Sequence, residues 1–392
     1  MRIAYLLTSL GVGGAEKQAL AIAERMAKRG HSVAVMVLMP CLPEEWPTAI
    51  RTIHLDVRKT PASVFAGLKR GRDFLREFRP QLVHSHSFHA NIFARLLRLA
   101  GPPFVVLSTV HNVYEGAWWR MVLYRFTDGL SRRTVAVSEA AAERFTRLHA
   151  IPWRKCDVVP NGIDTDGFAP NAARRAETRA KLRLERDVFA SLEDTEFVWL
   201  AVGRMTEAKD YPNLLNAFRD LRELRPDARL WIAGEAALGQ IAAFQALRSE
   251  LGLGDEVRWL GLRRDIPALL DAADAFVLSS AWEGMPLAVG EAMAMEKPVV
   301  ATDVGGVREL VGDAGLIVPA KNSALLSEAM LTIMRESSEV LTARGRAARE
   351  RIVTNFSMEA TADAWEALYR TLIVNREPWI VDREPRIVNR GS

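Results

Sequence analysis

Short apolar segments alternate with amphipathic segments along the chain, and this alternation restricts the fold more than any other feature of the sequence. The apolar segments have the length and composition of strands that are buried on both faces of a parallel sheet. Between them, apolar residues recur at spacings of three and four, which predicts helices, for example at 15–30, 63–78 and 211–224. The predicted strands lie at 2–8, 32–38, 81–86, 104–109 and 134–138, and then at 197–203, 228–234, 256–261, 275–280, 298–303 and 315–319. Two such series predict two doubly wound α/β domains, with ligands expected where strands end.

The sequence between the two series is rich in Pro, Asn, Gly and Asp at 160–170, which is typical of a linker. Asp164 and Asp166 have the spacing of a metal-binding pair, but they lie in this linker, so we interpret them as turn residues. The last residues repeat Ile-Val-Asn/Asp-Arg-Glu-Pro, and the recurring Pro excludes a coiled coil. We therefore expect domains at 1–165 and 166–355, a final helix at 356–373 and a disordered tail at 374–392.

The cysteines and the N-terminal segment limit the class of protein. Cys41 and Cys156 are the only two cysteines and lie far apart, so no disulfide framework or zinc spacing can be built, which fits a reducing cytoplasm. The N-terminal segment has the length of a short secretory signal, but glycines and charges follow it directly, which favours a buried strand. No run of about 18 apolar residues predicts a membrane span.

Charge is distributed unevenly. Residues 1–160 contain 23 Lys and Arg against 12 Asp and Glu, a net charge of +11, whereas residues 161–392 contain 29 against 36, a net charge of −7. A basic first half suits an anionic partner such as a membrane surface, a pyrophosphate-linked lipid or a nucleic acid. A solvated Arg-rich surface is the alternative. Nucleic acid is disfavoured because the sequence contains no recognition motif and no aromatic–basic platform.

A glycine-rich loop follows the first predicted strand. Gly11, Gly13 and Gly14 precede a helix, so backbone N–H groups there could approach an anion. The loop is not a dinucleotide-binding fingerprint, because Glu16 stands where the third glycine is required and no acidic residue closes a neighbouring strand. We interpret it as a loop that presses on a phosphate or a sugar, with an ordinary strand–helix turn as the alternative.

Two cations follow the first strand of the second series. Arg204 and Lys209 come after the strand that ends in Gly203. Arg offers a planar fork of donors for phosphate oxygens and Lys a compact charge, so the pair could neutralise a diphosphate. Two solvated surface cations are the alternative.

The stretch "SSAWEGMPLAVGEAMAMEKPVVATDVGG" places carboxylates beside a helix start. Glu283 lies in the turn after a predicted strand, and Pro286 suits the first helical position. The next N–H groups, those of Leu287 and Ala288, are then unpaired and could donate to a phosphate. Glu291 lies one turn deeper and could accept from a ribose, while Glu283 could accept from the hydroxyls of a sugar. Favourable helix-terminal charge and an ordinary surface position are the alternatives.

Histidines follow strands of the first series. His111 comes after the strand at 104–109 and could donate a hydrogen bond to a reacting hydroxyl or sugar, with a satisfied core histidine as the alternative. His84, His86 and His89 are close in sequence, but no acidic or cysteine partner stands nearby, so a metal site is disfavoured.

An aromatic and basic segment lies at 115–133. It contains Trp118, Trp119, Tyr124 and Phe126 together with Arg120, Arg125, Arg132 and Arg133. This composition fits a helix on an anionic membrane, and an amphipathic helix that packs its aromatic side chains inward is the alternative.

Taken together, these motifs resemble glycosyltransferase family 4, the group 1 glycosyl transferases of the GT-B fold, over about residues 1–373. The most specific piece is the E-x7-E motif formed by Glu283 and Glu291. "LGVGGAE" at 10–16, "PNGID" at 160–164 and "GRM" with Lys209 also match in order and spacing. Met295, Glu296 and Lys297 stand where the family usually has a residue followed by Gly before the Pro, and we expect a surface change there.

The resemblance implies roles for individual residues. Arg204 and Lys209 would hold the diphosphate, Glu291 the ribose, and Glu283 with the backbone of 284–286 the donor sugar. Leu262 and Arg263 would contact the base, and Gly13, Gly14 and His111 would approach from the first domain. The final helix at 356–373 would cross back to the first domain. The catalytic set would be His111, Arg204, Lys209 and Glu283, and the donor-binding set would add Gly13, Gly14, Leu262, Arg263, Gly284, Met285, Pro286, Leu287, Ala288 and Glu291.

The resemblance also implies a retaining, metal-independent hexosyltransferase that needs no cofactor beyond a nucleotide diphosphate sugar. Family frequency favours a UDP-sugar, with GDP-mannose as an alternative. The expected acceptor is a glycan or lipid-linked glycan of bacterial-type surface polysaccharide or lipopolysaccharide biosynthesis, on the inner face of the cytoplasmic membrane. A GT-B epimerase or hydrolase is one alternative, and a non-catalytic sugar-nucleotide-binding protein is another. The complete set of Arg204, Lys209, Glu283 and Glu291 disfavours the second.

Overall fold

The computed structural model of the chain describes residues 1–10, 13–40, 50–184 and 196–374. These residues form two compact units. The first unit is Met1–Gly162 together with the helix that begins at Met358, and the second is Ile163–Ser357. The repetitive tail, which the sequence predicts to be disordered, and Cys41 lie outside the described residues. Cys156 is free and buried.

The first unit is built on a parallel sheet with the strand order β3-β2-β1-β4-β5-β6-β7 among the described residues. The register sets Tyr5 opposite Val35 on one side and opposite His84 on the other. Its strands are β1 (Arg2–Leu7), β2 (Ser32–Val37), β3 (Arg51–His54), β4 (Leu82–His86), β5 (Val105–Val110), β6 (Arg133–Ala136) and β7 (Cys156–Val158).

The second unit repeats the arrangement with the strand order β10-β9-β8-β11-β12-β13, again parallel throughout the described part of the chain. Its strands are β8 (Phe197–Val202), β9 (Ala228–Ala233), β10 (Val257–Trp259), β11 (Ala275–Leu278), β12 (Val299–Thr302) and β13 (Leu316–Val318). Two doubly wound parallel-sheet domains are therefore confirmed.

Helices connect the strands, and polar caps define several of their starts. Thr60 accepts a hydrogen bond from the Ser63 backbone, and Asp210 accepts one from Asn213, so each satisfies an N–H group that the first helical turn leaves unpaired. The helices are α1 (Gly14–Lys28), α2 (Pro61–Phe78), α3 (Phe88–Ala100), α4 (Trp119–Thr127), α5 (Glu139–Arg147), α6 (Ala172–Leu184), α7 (Tyr211–Leu224), α8 (Leu238–Glu250), α9 (Ile266–Ala272), α10 (Leu287–Ala294), α11 (Val307–Val311), α12 (Ser323–Arg335), α13 (Ser338–Asn355) and α14 (Met358–Val374).

The last helix completes the core of the first unit. Trp365 and Tyr369 of α14 are buried in the same apolar cluster as Tyr5 of β1. The rim of this contact is ionic, because Arg29 donates to Glu366, which is itself buried. The resemblance predicted that this helix returns to the first domain, and the structure places it there.

The expected buried strands are present, and two strands were missed. β3 has mostly exposed side chains and β7 has three residues, so neither produces the continuous apolar run by which the other strands were predicted. None of the described helices combines the length and apolar character needed to cross a bilayer.

Candidate functional site

The strand order of the second sheet reverses between β8 and β11, and the loops that follow these two strands are bonded together. The Ala281 N–H donates to the Ala208 carbonyl over 2.8 Å, and the Ser279 hydroxyl donates to the Lys209 carbonyl over 2.8 Å. A reversal of strand order leaves a crevice at the carboxyl ends of the strands, where doubly wound folds bind ligands. Lys209 and Glu283 lie in these two loops.

Lys209 and Glu283 form an ion pair at this crevice. The Lys209 Nζ donates to the Glu283 Oε1 over 2.6 Å, and the Ser280 hydroxyl donates to the same oxygen over 2.7 Å. The exposed fractions of the two side chains are only 19% and 13%, so water screens the pair weakly. The sequence assigned these residues separate ligands and did not predict that they contact each other.

Close backbone approaches hold the Lys209 and Glu283 loops. The Tyr211 hydroxyl donates to the Gly203 carbonyl over 2.7 Å, and burial beside Glu283 raises the pKa of Tyr211. The Gly306 N–H donates to the Gly284 carbonyl over 2.6 Å. Gly305 has a φ of 55°, and a Cβ there would lie 2.1 Å from the Glu283 carbonyl oxygen. The loop after β12 therefore fixes the backbone that carries Glu283.

Helix α10 begins one residue later than the sequence predicted. Pro286 is the cap residue, with extended backbone, and Leu287 is the first helical residue, so the prediction of Pro286 at the first helical position is wrong by one. The N–H groups of Leu287 and Ala288 still lie in the first turn, where no helical carbonyl is available to them. Glu291 is one turn deeper and partly buried, and the side chain of Met285 is buried.

The remaining predicted donor-site residues are more exposed. The Arg204 side chain is exposed directly after β8. Leu262 is 49% exposed in the loop after β10. Arg263 of the same loop donates to both carboxylate oxygens of Asp265 over 2.8 and 2.7 Å, and these bonds lower the pKa of Asp265. The predicted contact of Arg263 with the nucleotide base would therefore be made by a side chain that is already bonded to Asp265.

The glycine loop of the first unit lies at the equivalent reversal, between β1 and β4. Gly13 is the cap residue of α1 and Gly14 its first residue. A Cβ on Gly13 would meet only the carboxylate end of the Glu16 side chain, which can move aside, so the geometry at this position does not by itself require glycine. Gly11 lies outside the described residues.

Buried histidines occupy the carboxyl ends of β4 and β5. The His84 Nδ1 lies 2.7 Å from the Tyr369 hydroxyl and its Nε2 lies 2.7 Å from the Thr109 hydroxyl. The His86 Nδ1 lies 2.9 Å from the His111 Nε2. Burial lowers the pKa of His111 to about 4 and the pKa of both other histidines well below the usual range. All three rings are therefore neutral near pH 7.

His89 does not join the other histidines, because its side chain is exposed on α3. Among the described residues, no group of three His, Cys, Asp or Glu side chains is arranged to hold a metal ion. In the linker, the Asp164 side chain accepts from the Gly167 N–H over 3.3 Å, as expected of a turn residue.

The aromatic and basic segment is a short helix with one exposed apolar face. Trp118 is 78% and Phe126 is 80% exposed at the two ends of α4. Tyr124 is buried and donates to Glu115 over 2.9 Å, and Arg133 pairs with Asp157 over 2.8 Å. The inclusion of Tyr124 and Arg133 in a membrane-facing surface was therefore wrong, because Tyr124 lies on the inward face of α4 and Arg133 belongs to strand β6 rather than to the helix.

The departure at residues 295–297 is not a surface change. Met295 is 1% exposed, and Glu296 has a φ of 57°, a conformation that favours glycine. Lys297 donates to the Ala273 carbonyl over 3.0 Å, and burial lowers its pKa to about 8. The expectation was wrong because these residues lie in a partly buried turn between α10 and β12, and charged residues in a sequence do not by themselves reveal such burial.

A comparison with solved structures identifies the fold. The chain superposes on Anabaena HepE in complex with UDP and glucose with a TM-score of 0.82, at 20% identity and with 95% of this chain and 100% of that chain covered. This likeness establishes the GT-B fold.

Two family descriptions match the chain in succession. Residues 12–167 match glycosyltransferase family 4, and residues 196–336 match the glycosyl transferases group 1. The chain is 31% identical to the D-inositol 3-phosphate glycosyltransferase of Segniliparus rotundus, covering 89% of this chain and 82% of that protein. It is also 28% identical to the UDP-Gal:alpha-D-GlcNAc-diphosphoundecaprenol alpha-1,3-galactosyltransferase of Escherichia coli, covering 77% and 78% of the two chains. The chain belongs to the family 4 glycosyltransferases.

Proposed function

We propose that this glycosyltransferase transfers a sugar, with retention of anomeric configuration and without a metal, from a UDP-sugar to a lipid-linked glycan in surface glycan biosynthesis. The observation that carries the proposal is the Lys209–Glu283 ion pair at the strand reversal of the second sheet, next to Arg204 and the start of α10. The Escherichia coli relative named for a UDP-sugar donor and a diphosphoundecaprenol acceptor supports the substrate classes. The UDP in the complex of Anabaena HepE supports the base.

Binding of the donor would break the Lys209–Glu283 ion pair, and both side chains would then contact the donor. The diphosphate would draw Lys209 and Arg204, while the N–H groups of Leu287 and Ala288 would donate to its oxygens. Glu283, still held by Ser280, would then accept from hydroxyls of the donor sugar. Glu291 would accept from the ribose, one helical turn from the diphosphate.

The chemistry would be mainly electrostatic. The bond between the anomeric carbon and the diphosphate oxygen breaks, negative charge grows on the leaving phosphate, and positive charge grows on the sugar ring. Donors fixed at the leaving oxygen contribute about 3–4 kcal/mol each to such a step. The departing phosphate oxygen would take the proton of the acceptor hydroxyl as the new glycosidic bond forms on the same face. A neutral His111 would add no repulsion to the positive ring.

Nucleotide binding tests the donor site. Thermal shift with UDP-, GDP- and ADP-sugars is measured on wild type, Arg204→Ala and Glu291→Ala, each against its own ligand-free melting temperature. A ligand at 100 times its Kd stabilises by about 2.7 kcal/mol. We expect the UDP-sugar to shift wild type and both variants to lose the shift, with exposed Glu207→Gln as the matched control. Equal shifts in all four proteins would place the nucleotide elsewhere.

Acceptor dependence separates transfer from the alternatives. A transferase releases nucleotide only when a lipid-linked glycan is present, whereas a hydrolase releases it without one and an epimerase releases none. The product's anomeric configuration, measured by NMR, tests retention, and unchanged turnover in a chelator tests metal independence.

We also propose that α4 holds the first unit on the anionic cytoplasmic face of a membrane, close to a lipid-linked acceptor. Trp118 and Phe126 are exposed aromatic anchors, and the first 160 residues carry a net charge of +11. We expect the double variant Trp118→Ser with Phe126→Ser to lose flotation with anionic vesicles. Phe65→Ser, which removes a 73% exposed aromatic from α2, is the control and should float as wild type does. Equal flotation of both variants would remove α4 from the contact.

A further inference from the structure

His86 and His111 share one hydrogen bond at the end of the first sheet. His86 is the last residue of β4, is 2% exposed, and places its Nδ1 2.9 Å from the His111 Nε2. The other nitrogen of His86, Nε2, is buried, and it has no hydrogen-bond partner among the described residues. This difference between the two nitrogens determines where the protons of both rings lie.

Two arrangements of protons satisfy the bond between neutral rings. In one, the His86 Nδ1 carries a proton and donates it to His111, so the His86 Nε2 is a bare lone pair and the His111 proton lies on Nδ1. In the other, the His111 Nε2 donates, so the proton of His86 lies on its buried Nε2. The second arrangement buries an N–H donor without an acceptor, whereas the first buries only an unused lone pair. Orphaned buried N–H groups are the rarer and costlier of the two.

We propose that His86 is a positioning residue that fixes His111 as its Nδ1–H tautomer. His111 then presents an N–H donor, rather than a lone pair, at the nitrogen that faces away from His86. The consequence for transfer rests on the proposed function and on the expectation that His111 donates a hydrogen bond to a reacting hydroxyl or sugar. A neutral donor can hold a hydroxyl oxygen without adding charge beside a sugar ring that becomes positive.

The surroundings of the pair keep both rings neutral and in place. The His84 ring centroid lies 4.1 Å from that of His86, and His84 is itself bonded at both nitrogens, to Tyr369 and Thr109. The Tyr5 ring stacks on the His86 ring, with the two ring centroids 6.2 Å apart. His86 therefore cannot turn its ring without disturbing packed and hydrogen-bonded groups, and its Nδ1 stays directed at His111.

Nitrogen NMR tests the tautomer without any need for activity. In a chain labelled with 15N-histidine, the His111 signals are assigned by their loss in His111→Asn. We expect wild type to show a protonated Nδ1 and an unprotonated Nε2 on His111. His86→Leu should convert His111 to a mixture of tautomers. A protonated Nε2 on His111 in wild type would overturn the proposal, whether or not the chain is active as a transferase.

Substitutions test the effect on transfer. Asn at position 86 places an amide N–H near the position of the His86 Nδ1, whereas Leu removes the donor. We expect His86→Leu to lower kcat roughly tenfold with little change in KM, because the variant loses one neutral hydrogen bond. His86→Asn should restore most of that loss. On a His111→Ala background, His86→Leu should have no further effect. Equal losses of kcat in His86→Asn and His86→Leu would contradict the positioning role. A further loss of kcat when His86→Leu is added to His111→Ala would also contradict it. If His86→Leu fails to fold, the wild-type spectrum still decides.

Discussion

The two units share one strand order around their central strands, yet the carboxyl ends of those strands carry charged side chains in the second unit and uncharged rings in the first. In the second unit the loops after β8 and β11 bring a cation and an anion within 2.6 Å. In the first unit the strands β4 and β5 end in neutral rings that bind one another. All seven histidines of the chain lie between residues 31 and 149, and none lies in the second unit. The same scaffold therefore supports a charged site and an uncharged one.

This difference has a physical reason in the proposed reaction. A diphosphate needs opposing charge, and Lys209 can supply it because Glu283 keeps the ammonium partly buried and paired until the ligand arrives. The sugar ring, in contrast, becomes positive, so a neutral donor is the better neighbour. The following experiments test this division, from the largest expected effect to the smallest.

Removing the ammonium group of Lys209 should have the largest effect. Lys209→Met keeps the aliphatic stem and removes the ammonium, so we expect kcat/KM to fall about 100- to 1,000-fold, the loss typical of a donor that stabilises developing negative charge. Steady-state nucleotide release measures it. The control is Glu207→Gln in the same loop, which is exposed and should stay near wild type. A loss below tenfold for Lys209→Met would contradict the view that the second unit acts through charge and the first unit through uncharged groups.

Displacing the backbone of Glu283 should come next. Gly305→Ala puts a Cβ 2.1 Å from the Glu283 carbonyl oxygen at a left-handed φ, so we expect a loss of about 2–4 kcal/mol in the free energy of unfolding. Gly252→Ala is the matched control, because Gly252 has a φ of 68° with nothing within 4 Å of the added Cβ. It should cost about 1 kcal/mol. Urea titration measures the free energy of unfolding of both variants. Equal losses would mean that the loop after β12 moves to accommodate the added Cβ without further cost.

Acid should weaken the first unit before the second. Burial lowers the pKa of His111 to about 4, while the unfolded chain binds that proton near pH 6.5. Stability from this ring is therefore complete above about pH 6.5 and is lost as the pH falls toward 4, by about 1–2 kcal/mol at pH 5. His111→Gln should reduce the loss by that amount. Urea titration at pH 7 and 5 measures it, and hydrogen exchange should show the first unit opening first.

The smallest effect is expected from an uncharged bond in the same region. Thr109→Val keeps the side-chain shape and leaves the His84 Nε2 without its partner, which should cost about 1 kcal/mol. Thr52→Val on exposed β3 is the control and should be nearly neutral. The cost at Thr109 should not change between low and high salt, because neither partner is charged. A salt-dependent cost would show that the ring is protonated in the native protein.

The fold could be predicted almost completely from the sequence, because strands buried on both faces require continuous apolar runs. β3 was missed for the converse reason, since Arg51 and Thr52 are exposed. Helix ends were less predictable. Pro286 fits either the cap or the first helical position, and backbone geometry rather than composition decides between them.

The candidate site could be predicted as a set of residues but not as a set of contacts. The positions of Lys209 and Glu283 after strands indicated the site, and the order of the strands then made them neighbours. Nothing local indicated that the two would pair. His84 and Tyr369 are 285 positions apart, so their bond depends on the whole fold. Glycines after β12 were a usable signal, since Gly305 and Gly306 close on the backbone of Glu283 and Gly284.

The return of α14 to the first unit has a consequence for synthesis of the chain. The second unit, Ile163–Ser357, is inserted in the sequence between the sheet of the first unit and the helix that covers it. At ribosomal speeds of about 5–20 residues per second, roughly 10–40 s pass between translation of Gly162 and of α14. During that interval His84 and Tyr5 lack Tyr369, so a nascent chain carries an incomplete first unit until the whole second unit has been made.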